Sequence, residues 1–301
     1  MNSNSTVPSY PAPELRDKPP AASVPDRSIG AILIKQGRLS VADAEKVMRH
    51  QVEHNVRFGD AALALGVLST ADIEFALSRQ YDYPYLLRGE SAISETVVAA
   101  YEPFTARVES LRALRNQLMW RWFETGDERR ALAVTGAERG DGRSFLAANL
   151  AVVFSQQGQR TLLIDADMRH PSQHALFGLE NRVGLSSVLS DRNGVEAVQR
   201  VPALLDLSVL TAGAPPPNPS ELLGRPAMGK LLRELAPQFD VILIDTPAGS
   251  ECSDAQMVAG RAGAAVVVTR QDASRINEVH NLIGALGEAR VHVVGTVLNN
   301  F

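Results

Sequence analysis

Three short segments carry residue types that could bind a nucleotide phosphate and a divalent cation. Residues 137–144 follow the apolar run ALAVTG and read AERGDGRS, which is the spacing of a glycine-rich phosphate-binding loop. In such a loop the main-chain N–H groups curl around phosphate oxygens, and the helix that follows adds its positive end. We therefore expect the nucleotide to contact Ala137, Glu138, Arg139, Gly140, Asp141, Gly142, Arg143, Ser144 and Phe145.

The other two segments place acids at the ends of apolar, strand-like runs. LLIDADMR puts Asp165 and Asp167 two residues apart, so they share a face in an extended chain, and VILIDTP carries Asp245. One carboxylate can hold Mg²⁺ while another accepts a proton from an incoming hydroxyl. The predicted metal ligands are Ser144, Asp165, Asp167 and Asp245, and the predicted catalytic residues are Arg143 and the same three acids.

Arg143 stands where a phosphate-binding loop usually carries lysine. Lysine acts there as a compact point charge, whereas the planar guanidinium is wider and needs different room. Phosphate binding should survive this exchange. Alignment of the transition state is more sensitive, because a misplacement of about 1 Å can cost on the order of 10²-fold in rate. We expect nucleotide binding with reduced catalytic activity.

From about residue 130 onward, apolar runs alternate with helical patterns. The strand-like runs are ALAVTG, TLLIDAD, LSVLTAG, VILIDTP, AAVVVTR and HVVGTVLN. Nearly continuous apolar strands indicate an α/β fold with a mainly parallel sheet covered by helices on both faces. Ligands in such folds bind beyond the carboxyl ends of the strands, which is where all three segments lie.

The first hundred residues are organised differently. Residues 1–26 hold six of the 17 prolines, and we expect them to be disordered. Residues 28–51 and 57–80 form a repeat whose units each read as a short helix, a glycine stop, a serine N-cap and a second helix. The predicted domains are a helical domain over 27–86, a linker over 87–103 and the α/β domain over 104–301.

Composition narrows the class of protein. The chain has 301 residues and a net charge of −4, so nothing in its charge indicates a nucleic-acid partner. Its single cysteine, Cys252, excludes an internal disulfide and fits a reducing compartment. No secretory signal and no apolar run of about 18 residues are evident, so we expect a cytoplasmic protein.

LLIDADMRHP and DVILIDTP together resemble segments of the bacterial tyrosine kinases, which are P-loop NTPases unrelated to eukaryotic protein kinases. Glu109, Arg112 and Arg115 also fit the Glu-x-x-Arg-x-x-Arg motif by which that family assembles into rings. The resemblance covers roughly residues 108–301. It implies ATP and Mg²⁺ as cofactors, a homo-oligomeric ring, and a position near the adenine for Asn299.

The whole chain is similar to the EpsG-type chain-length-determinant tyrosine kinases of exopolysaccharide loci. That similarity implies control of polysaccharide chain length, polymerisation or export together with a membrane-embedded, Wzz-like partner, which would hold the protein at the inner membrane. Many members carry a C-terminal tyrosine cluster, whereas the five tyrosines here all precede residue 104. We therefore expect a different acceptor, of which Tyr10 is the most accessible.

The repeat resembles the MshEN-type N-terminal domain of secretion and pilus ATPases, some members of which bind cyclic di-GMP. Each unit of that domain opens with Arg-Leu-Gly, and here the second unit has Arg57 and Gly59 while the first starts Ser-Ile-Gly. Two interpretations stay open, a helical packing module and a cyclic di-GMP site that includes Arg57 and Gly59.

Two alternatives to a kinase also stay open. A catalytically weak scaffold would bind ATP, and in one version cyclic di-GMP, to control polysaccharide assembly. A partitioning ATPase of the ParA/MinD class would share the sheet and the acids, but it carries lysine at the second loop position, where this chain has Glu138. Phosphotyrosine that disappears in Asp165→Ala and Asp245→Ala variants separates a kinase from a scaffold.

Overall fold

The computed structural model describes residues 28–80, 85–126 and 129–300, and the chain divides into two compact units, Met1–Asp82 and Tyr83–Phe301. The expected disorder of residues 1–26 and the expected acceptor Tyr10 lie outside the described residues, so both stay predictions.

The N-terminal unit is helical and repeats one pattern twice. Its helices are α1 (Ile29–Lys35), α2 (Val41–His54), α3 (Phe58–Ala64) and α4 (Thr70–Gln80). The first helix of each half stops before a glycine with positive φ, 69° at Gly37 and 65° at Gly66. The hydroxyls of Ser40 and Ser69 then accept the main-chain N–H three residues on, at 3.0 and 3.2 Å. α1 packs on α4, and α2 packs on α3.

The C-terminal unit is built on one seven-stranded sheet. Its strands are β1 (Ala131–Gly136), β2 (Thr161–Asp165), β3 (Gln199–Arg200), β4 (Leu207–Leu210), β5 (Val241–Asp245), β6 (Ala264–Arg270) and β7 (His292–Asn299). Their order in the sheet is β3-β4-β2-β5-β1-β6-β7. Every pairing is parallel except that of β3 with β4. The expected mainly parallel sheet is therefore confirmed.

Helices cover both faces of this sheet. They are α5 (Val98–Tyr101), α6 (Ala106–Arg121), α7 (Arg143–Ser155), α8 (Gln173–Phe177), α9 (Leu185–Leu189), α10 (Pro219–Gly224), α11 (Pro226–Leu235), α12 (Asp254–Ala262) and α13 (Ile276–Glu288), with 3-10 turns at Phe123–Thr125 and Val195–Ala197. Because successive strand residues point to opposite faces, Leu163 packs in the core beneath α7, whereas Leu162 and Ile164 pack in the core beneath α11. None of the helices in the described part of the chain has the length and apolarity needed to cross a bilayer.

Within residues 87–103, expected to be a linker, the helix α5 packs into the core of the C-terminal unit. All four residues of α5 are buried in the core that includes α7. The N–H of Ala99 donates to Asn149 Oδ1 at 2.9 Å, and Gln156 Nε2 donates to the carbonyl of Ala99 at 2.9 Å. The short apolar run at 97–101 is thus a buried turn of helix, because burial of its side chains outweighs the turn-forming residues around it.

Candidate nucleotide and metal site

The phosphate-binding loop connects β1 to α7. Its backbone is left-handed at Gly140 (φ 89°) and Gly142 (φ 94°), a conformation that L side chains rarely adopt. Within the described part of the chain, the main-chain N–H groups of Gly140, Gly142, Arg143 and Ser144 have no hydrogen-bond acceptor. Unpaired donors at the N-terminus of a thirteen-residue helix can bind an anion such as phosphate.

Asp165 and Asp245 end the neighbouring strands β2 and β5, where they are partners in the parallel register. Both are completely buried. Burial raises the pKa of Asp245 to about 6, although hydrogen bonds from the Ser144 and Gln173 side chains lower it. Within 3.5 Å, however, its Oδ1 has no hydrogen-bond partner among the described residues.

The pKa of Asp165 is raised well above its ordinary value, first by burial and then by the negative charge of Asp245. The N–H groups of Ser172 and Gln173 oppose this shift, because each donates to Asp165 Oδ2 at 3.0 Å. Oδ1 accepts the N–H of Asp167 at 3.2 Å. Main-chain donors therefore hold both oxygens of Asp165 in place.

Asp167 differs from Asp165 in keeping one oxygen available. Its Oδ1 accepts the N–H groups of Arg169 at 3.2 Å and His170 at 2.8 Å, whereas its Oδ2 has no partner among residues the structure describes. The residue is 7% exposed, whereas Asp165 and Asp245 have no exposed area. The Arg169 guanidinium is held by Asp254, whose Oδ2 accepts from Nε at 3.0 Å.

Two acceptor oxygens of neighbouring residues are buried without donors. Asp245 Oδ1 and Gln173 Oε1 have no hydrogen-bond partner among the described residues, although Gln173 Nε2 donates to Asp245 Oδ2 at 2.7 Å. Buried polar atoms are nearly always satisfied, so such a pair calls for a partner. Hard divalent cations prefer oxygen ligands, and Mg²⁺ usually keeps several waters beside one or two carboxylates. These residues fit Mg²⁺ at this position.

The side chain of Arg143 is buried between the loop and β5. Its Nε donates to the carbonyl of Thr246 at 3.1 Å, and its Nη1 donates to the carbonyl of Glu138 at 2.6 Å. The charge lies near enough to Asp245 to lower the pKa of that acid. Arg143 thus ties the loop to the strand that carries one of the predicted metal ligands.

A second set of contacts ties the loop to the segment after β6. Asp141, almost fully buried, accepts the N–H of Glu138 at 2.8 Å and the hydroxyl of Ser274 at 2.6 Å. Glu138 accepts the N–H of Arg275 at 3.0 Å and pairs with its guanidinium at 3.1 Å. Asn299 Nδ2 donates to the carbonyl of Asp141 at 3.3 Å. The contacts of Glu138, Asp141 and Asn299 therefore hold the loop against the turn that follows β6 and against the end of β7.

Phe145 and Asn299 line a common cavity of about 920 Å³ beside the loop. Gln271 and Leu114 contribute to the same walls. The cavity is large enough for a nucleobase. Ala137, at the start of the loop, is buried, and its carbonyl accepts the N–H of Ser250 at 2.9 Å.

The residues expected to mediate ring assembly lie on α6. Glu109 is well exposed and pairs with Arg112. Arg115 points into its own unit, where Nη1 donates to the carbonyl of Val153 at 2.9 Å. One of the three residues is therefore committed to a contact within the unit.

The residues of the suggested cyclic di-GMP site lie in the N-terminal unit. Arg57 is the N-cap of α3 and makes no side-chain capping bond. A Cβ on Gly59 would lie 3.4 Å from the Ile73 side chain, which is ordinary packing of α3 on α4. The interpretation of this unit as a dinucleotide site stays a prediction.

Three residues of the site were not expected from the sequence: Gln173, Ser274 and Arg275. Gln173 follows Pro171 and Ser172, a signal for the start of a helix, but nothing local indicates that the helix start faces Asp245. Ser274 and Arg275 belong to a turn more than 130 residues after the loop that they brace.

Comparison with known proteins agrees with this geometry. The family model described as "ParA: NUBPL iron-transfer P-loop NTPase" matches residues 128–301. The tyrosine-protein kinase YwqD of Bacillus subtilis is 35% identical over 209 residues, which are 69% of this chain and 87% of YwqD. The tyrosine-protein kinase Etk of Escherichia coli is 36% identical over 202 residues, 67% of this chain.

Solved structures agree with these relatives. The kinase domain of Escherichia coli Etk superposes with a TM-score of 0.65 at 34% identity, covering 68% of this chain and 79% of that domain. The chain spans only 27–29% of the length of the longer relatives, Etk among them. Over the greater part of its length, the chain belongs to the ParA-type P-loop NTPases and, within them, to the bacterial tyrosine-protein kinase family.

Proposed function

We propose that this protein transfers the γ-phosphoryl group of ATP to a protein tyrosine, with Mg²⁺ as cofactor. The observation that carries the proposal is that Asp165 and Asp245 end neighbouring strands, with Asp167 bonded to Asp165. Gln173 links Asp245 to the start of α7, where loop N–H groups lack acceptors among the described residues. The relatives named tyrosine-protein kinases support the choice of tyrosine as acceptor.

Each part of the site has a role in this proposal. The loop from Ala137 to Phe145 binds the phosphates through its main-chain N–H groups, and the cavity beside Asn299 takes the adenine. Ser144, Asp165, Asp167 and Asp245 would hold Mg²⁺, directly or through its waters. Mg²⁺ supplies neutralisation of the negative charge on the phosphate oxygens.

The transfer forms a bond between the tyrosine oxygen and the γ-phosphorus, and it breaks the bond from that phosphorus to the β–γ bridging oxygen. ADP leaves with the electron pair of the broken bond. The tyrosine proton passes to Asp167, since its Oδ2 has no partner among the described residues and Asp167 is the one of the three acids with any exposed area. Both oxygens of Asp165 already accept main-chain donors, which suits a fixed ligand better than a base.

The direct test is phosphotyrosine formation by the purified full chain with ATP and Mg²⁺. We expect wild type to form phosphotyrosine and to hydrolyse ATP, and the Asp165→Ala and Asp245→Ala variants to form none. Asp240→Ala is the matched control, because Asp240 pairs with Arg160 outside the site. Nucleotide binding without any phosphotyrosine in wild type would favour the scaffold, which is our second candidate.

The acceptor is a separate part of the proposal. Tyr101, one of two described tyrosines, is buried, and its hydroxyl donates to the carbonyl of Ile93. We therefore favour an acceptor elsewhere, with Tyr10 of this chain as the first candidate. Mass spectrometry of the phosphorylated protein identifies it, and phosphorylation of Tyr101 in the folded protein would contradict this choice.

We further propose that the kinase acts in exopolysaccharide chain-length control with a membrane-embedded Wzz-like partner, which brings it to the inner membrane. The support for this setting is the resemblance of the sequence to chain-length-determinant kinases of exopolysaccharide loci. Adding the cytosolic segment of that partner should raise phosphotyrosine formation. No increase would count against the pairing.

Ring assembly is proposed through the exposed end of α6. Support comes from Glu109, whose side chain is 63% exposed and so available to a neighbouring copy. Glu109→Ala should lower the oligomer mass in sedimentation. An unchanged mass would contradict a role for this residue.

Cyclic di-GMP binding by the N-terminal unit is the least supported element. Calorimetric titration of wild type and Arg57→Ala with cyclic di-GMP tests it, and no heat in wild type would leave the unit as a packing module.

A further inference from the structure

Gln173 is the residue at which the three segments of the site meet. It opens α8, its side chain is completely buried, and it lies eight residues after Asp165. Its main-chain N–H donates to Asp165 Oδ2 at 3.0 Å. Its side chain reaches the other two segments, so this residue contacts β2, β5 and the start of α7 at once.

The direction of the Gln173 amide is fixed by its neighbours. Its Nε2 lies 2.7 Å from Asp245 Oδ2 and 3.1 Å from the carbonyl oxygen of Ser144. Both neighbours are acceptors, so the NH₂ group must face them and the amide oxygen must face away. The amide therefore occupies one oxygen of Asp245 and leaves the other oxygen, Oδ1, unpaired.

Both oxygens left over are buried. Asp245 Oδ1 and Gln173 Oε1 have no donor among the described residues. A cation satisfies a carboxylate oxygen directly, and a water bound to that cation donates to an amide oxygen. A purely structural glutamine would have both ends of its amide satisfied by protein.

We infer that Gln173 is a positioning residue for the metal: it turns the Asp245 carboxylate so that Oδ1 faces Mg²⁺, and its Oε1 accepts a hydrogen bond from metal-bound water. This inference rests on the proposed function, because it requires Mg²⁺ to bind with the nucleotide. Gln173 lies outside the predicted set of metal ligands. It connects the phosphate-binding loop and the strands β2 and β5 at the position of one ion.

The test separates metal affinity from nucleotide affinity. The dissociation constant of a fluorescent ADP derivative is measured for the full chain with Mg²⁺ and with excess EDTA, and the ratio of the two values reports the contribution of the metal. Gln173→Met keeps length and volume but removes both polar ends of the amide. Gln156→Met is the matched control, since that amide bonds to Ala99 at the far end of α7.

We expect Gln173→Met to reduce the ratio of the two dissociation constants by about 10-fold to 100-fold, the loss typical of residues that orient metal ligands. The dissociation constant measured in EDTA should stay unchanged. Gln156→Met should keep the wild-type ratio. Should Gln173→Met fail to fold, Gln173→Asn, which is one methylene shorter, replaces it with the same expectation.

Two results would overturn the inference. In the first, the folded variant has the same ratio of dissociation constants as wild type. In the second, the variant binds the nucleotide more weakly by the same factor with and without Mg²⁺, which would make Gln173 a structural support only. If wild type itself shows no effect of Mg²⁺, the proposed function fails, and that result is distinguishable because it does not depend on any variant.

Discussion

Asp165 and Asp245 lie directly opposite each other at the ends of β2 and β5, and both carboxyl groups are completely buried. Neighbouring strands are about 4.8 Å apart, so two negative charges here repel strongly unless a cation lies between or beside them. Burial raises the pKa values of both acids, and the charge of Asp245 raises that of Asp165 further. The ionised pair therefore lowers the stability of the metal-free fold, and it is suited to binding a divalent cation.

Removing one of these charges should stabilise the metal-free protein at neutral pH. The pKa of Asp245 is about 6 in the folded chain against an ordinary 3.8, so its ionisation costs about 3 kcal/mol of folding free energy. Well below pH 3.8 the acid is neutral in both states, and the cost develops as the pH rises through 3.8 to about 6. We expect Asp245→Asn to gain stability over wild type between pH 4 and 6 and to keep the gain above that.

Urea unfolding in EDTA at several pH values measures this gain. Asp240→Asn is a control of opposite sign, because pairing with Arg160 lowers the pKa of Asp240. Its contribution is present at neutral pH and is lost as the pH falls below about 4. An Asp245→Asn variant less stable than wild type at pH 7 would contradict the account.

Arg143 should limit the rate of transfer rather than the binding of nucleotide. Its guanidinium is occupied by the carbonyls of Glu138 and Thr246, whereas a lysine ammonium would reach the phosphates as a point charge. We expect Arg143→Lys to form phosphotyrosine about tenfold faster with similar ATP affinity, and Arg143→Ala to be slower by on the order of 10²-fold. A lysine variant no faster than wild type would show that arginine is no handicap.

The two acids of the loop should differ in their effect on stability. Asp141→Ala leaves the N–H of Glu138 and the hydroxyl of Ser274 without their acceptor, which should cost about 1–3 kcal/mol. Glu138→Gln removes an ion pair whose arginine is 75% exposed, and exposed pairs contribute at most about 1 kcal/mol. Thermal unfolding of both variants tests this order, and equal losses would contradict it.

Gly136 should tolerate no side chain. A Cβ there would lie 2.8 Å from the carbonyl oxygen of Val268 and 3.0 Å from Asp141 Oδ2. We expect Gly136→Ala to cost roughly 3 kcal/mol in chemical denaturation and to weaken nucleotide binding, because the loop must shift. Gly260→Ala, in an open position on α12, should instead gain about 0.5–1 kcal/mol. A Gly136→Ala variant as stable as wild type would contradict the packing described.

The sequence allowed the sheet, the loop and the three acids to be predicted because each is encoded locally. The apolar runs specify buried strands, the glycine spacing specifies the loop, and Asp165, Asp167 and Asp245 follow strands that must end at one edge. The repeat of the N-terminal unit was also readable, since its glycine and serine signals recur at a fixed spacing.

What the sequence did not predict depends on contacts between distant segments. The place of Gln173 beside Asp245, 72 residues further on, follows from the packing of α8 against the strand ends. The contacts of Arg143 with Thr246 and of Asp141 with Ser274 arise in the same way. Burial of α5, within the predicted linker 87–103, likewise depends on contacts with α7, which lies more than 40 residues further along the chain.

The central claim is that the loop N–H groups and the acids at the strand ends bind a nucleoside triphosphate together with its Mg²⁺. Isothermal titration of the folded full chain with a non-hydrolysable ATP analogue, in Mg²⁺ and then in EDTA, measures this most directly. The account predicts saturable binding with Mg²⁺ and clearly weaker binding in EDTA. Absence of binding heat, or the same affinity in both conditions, would contradict it.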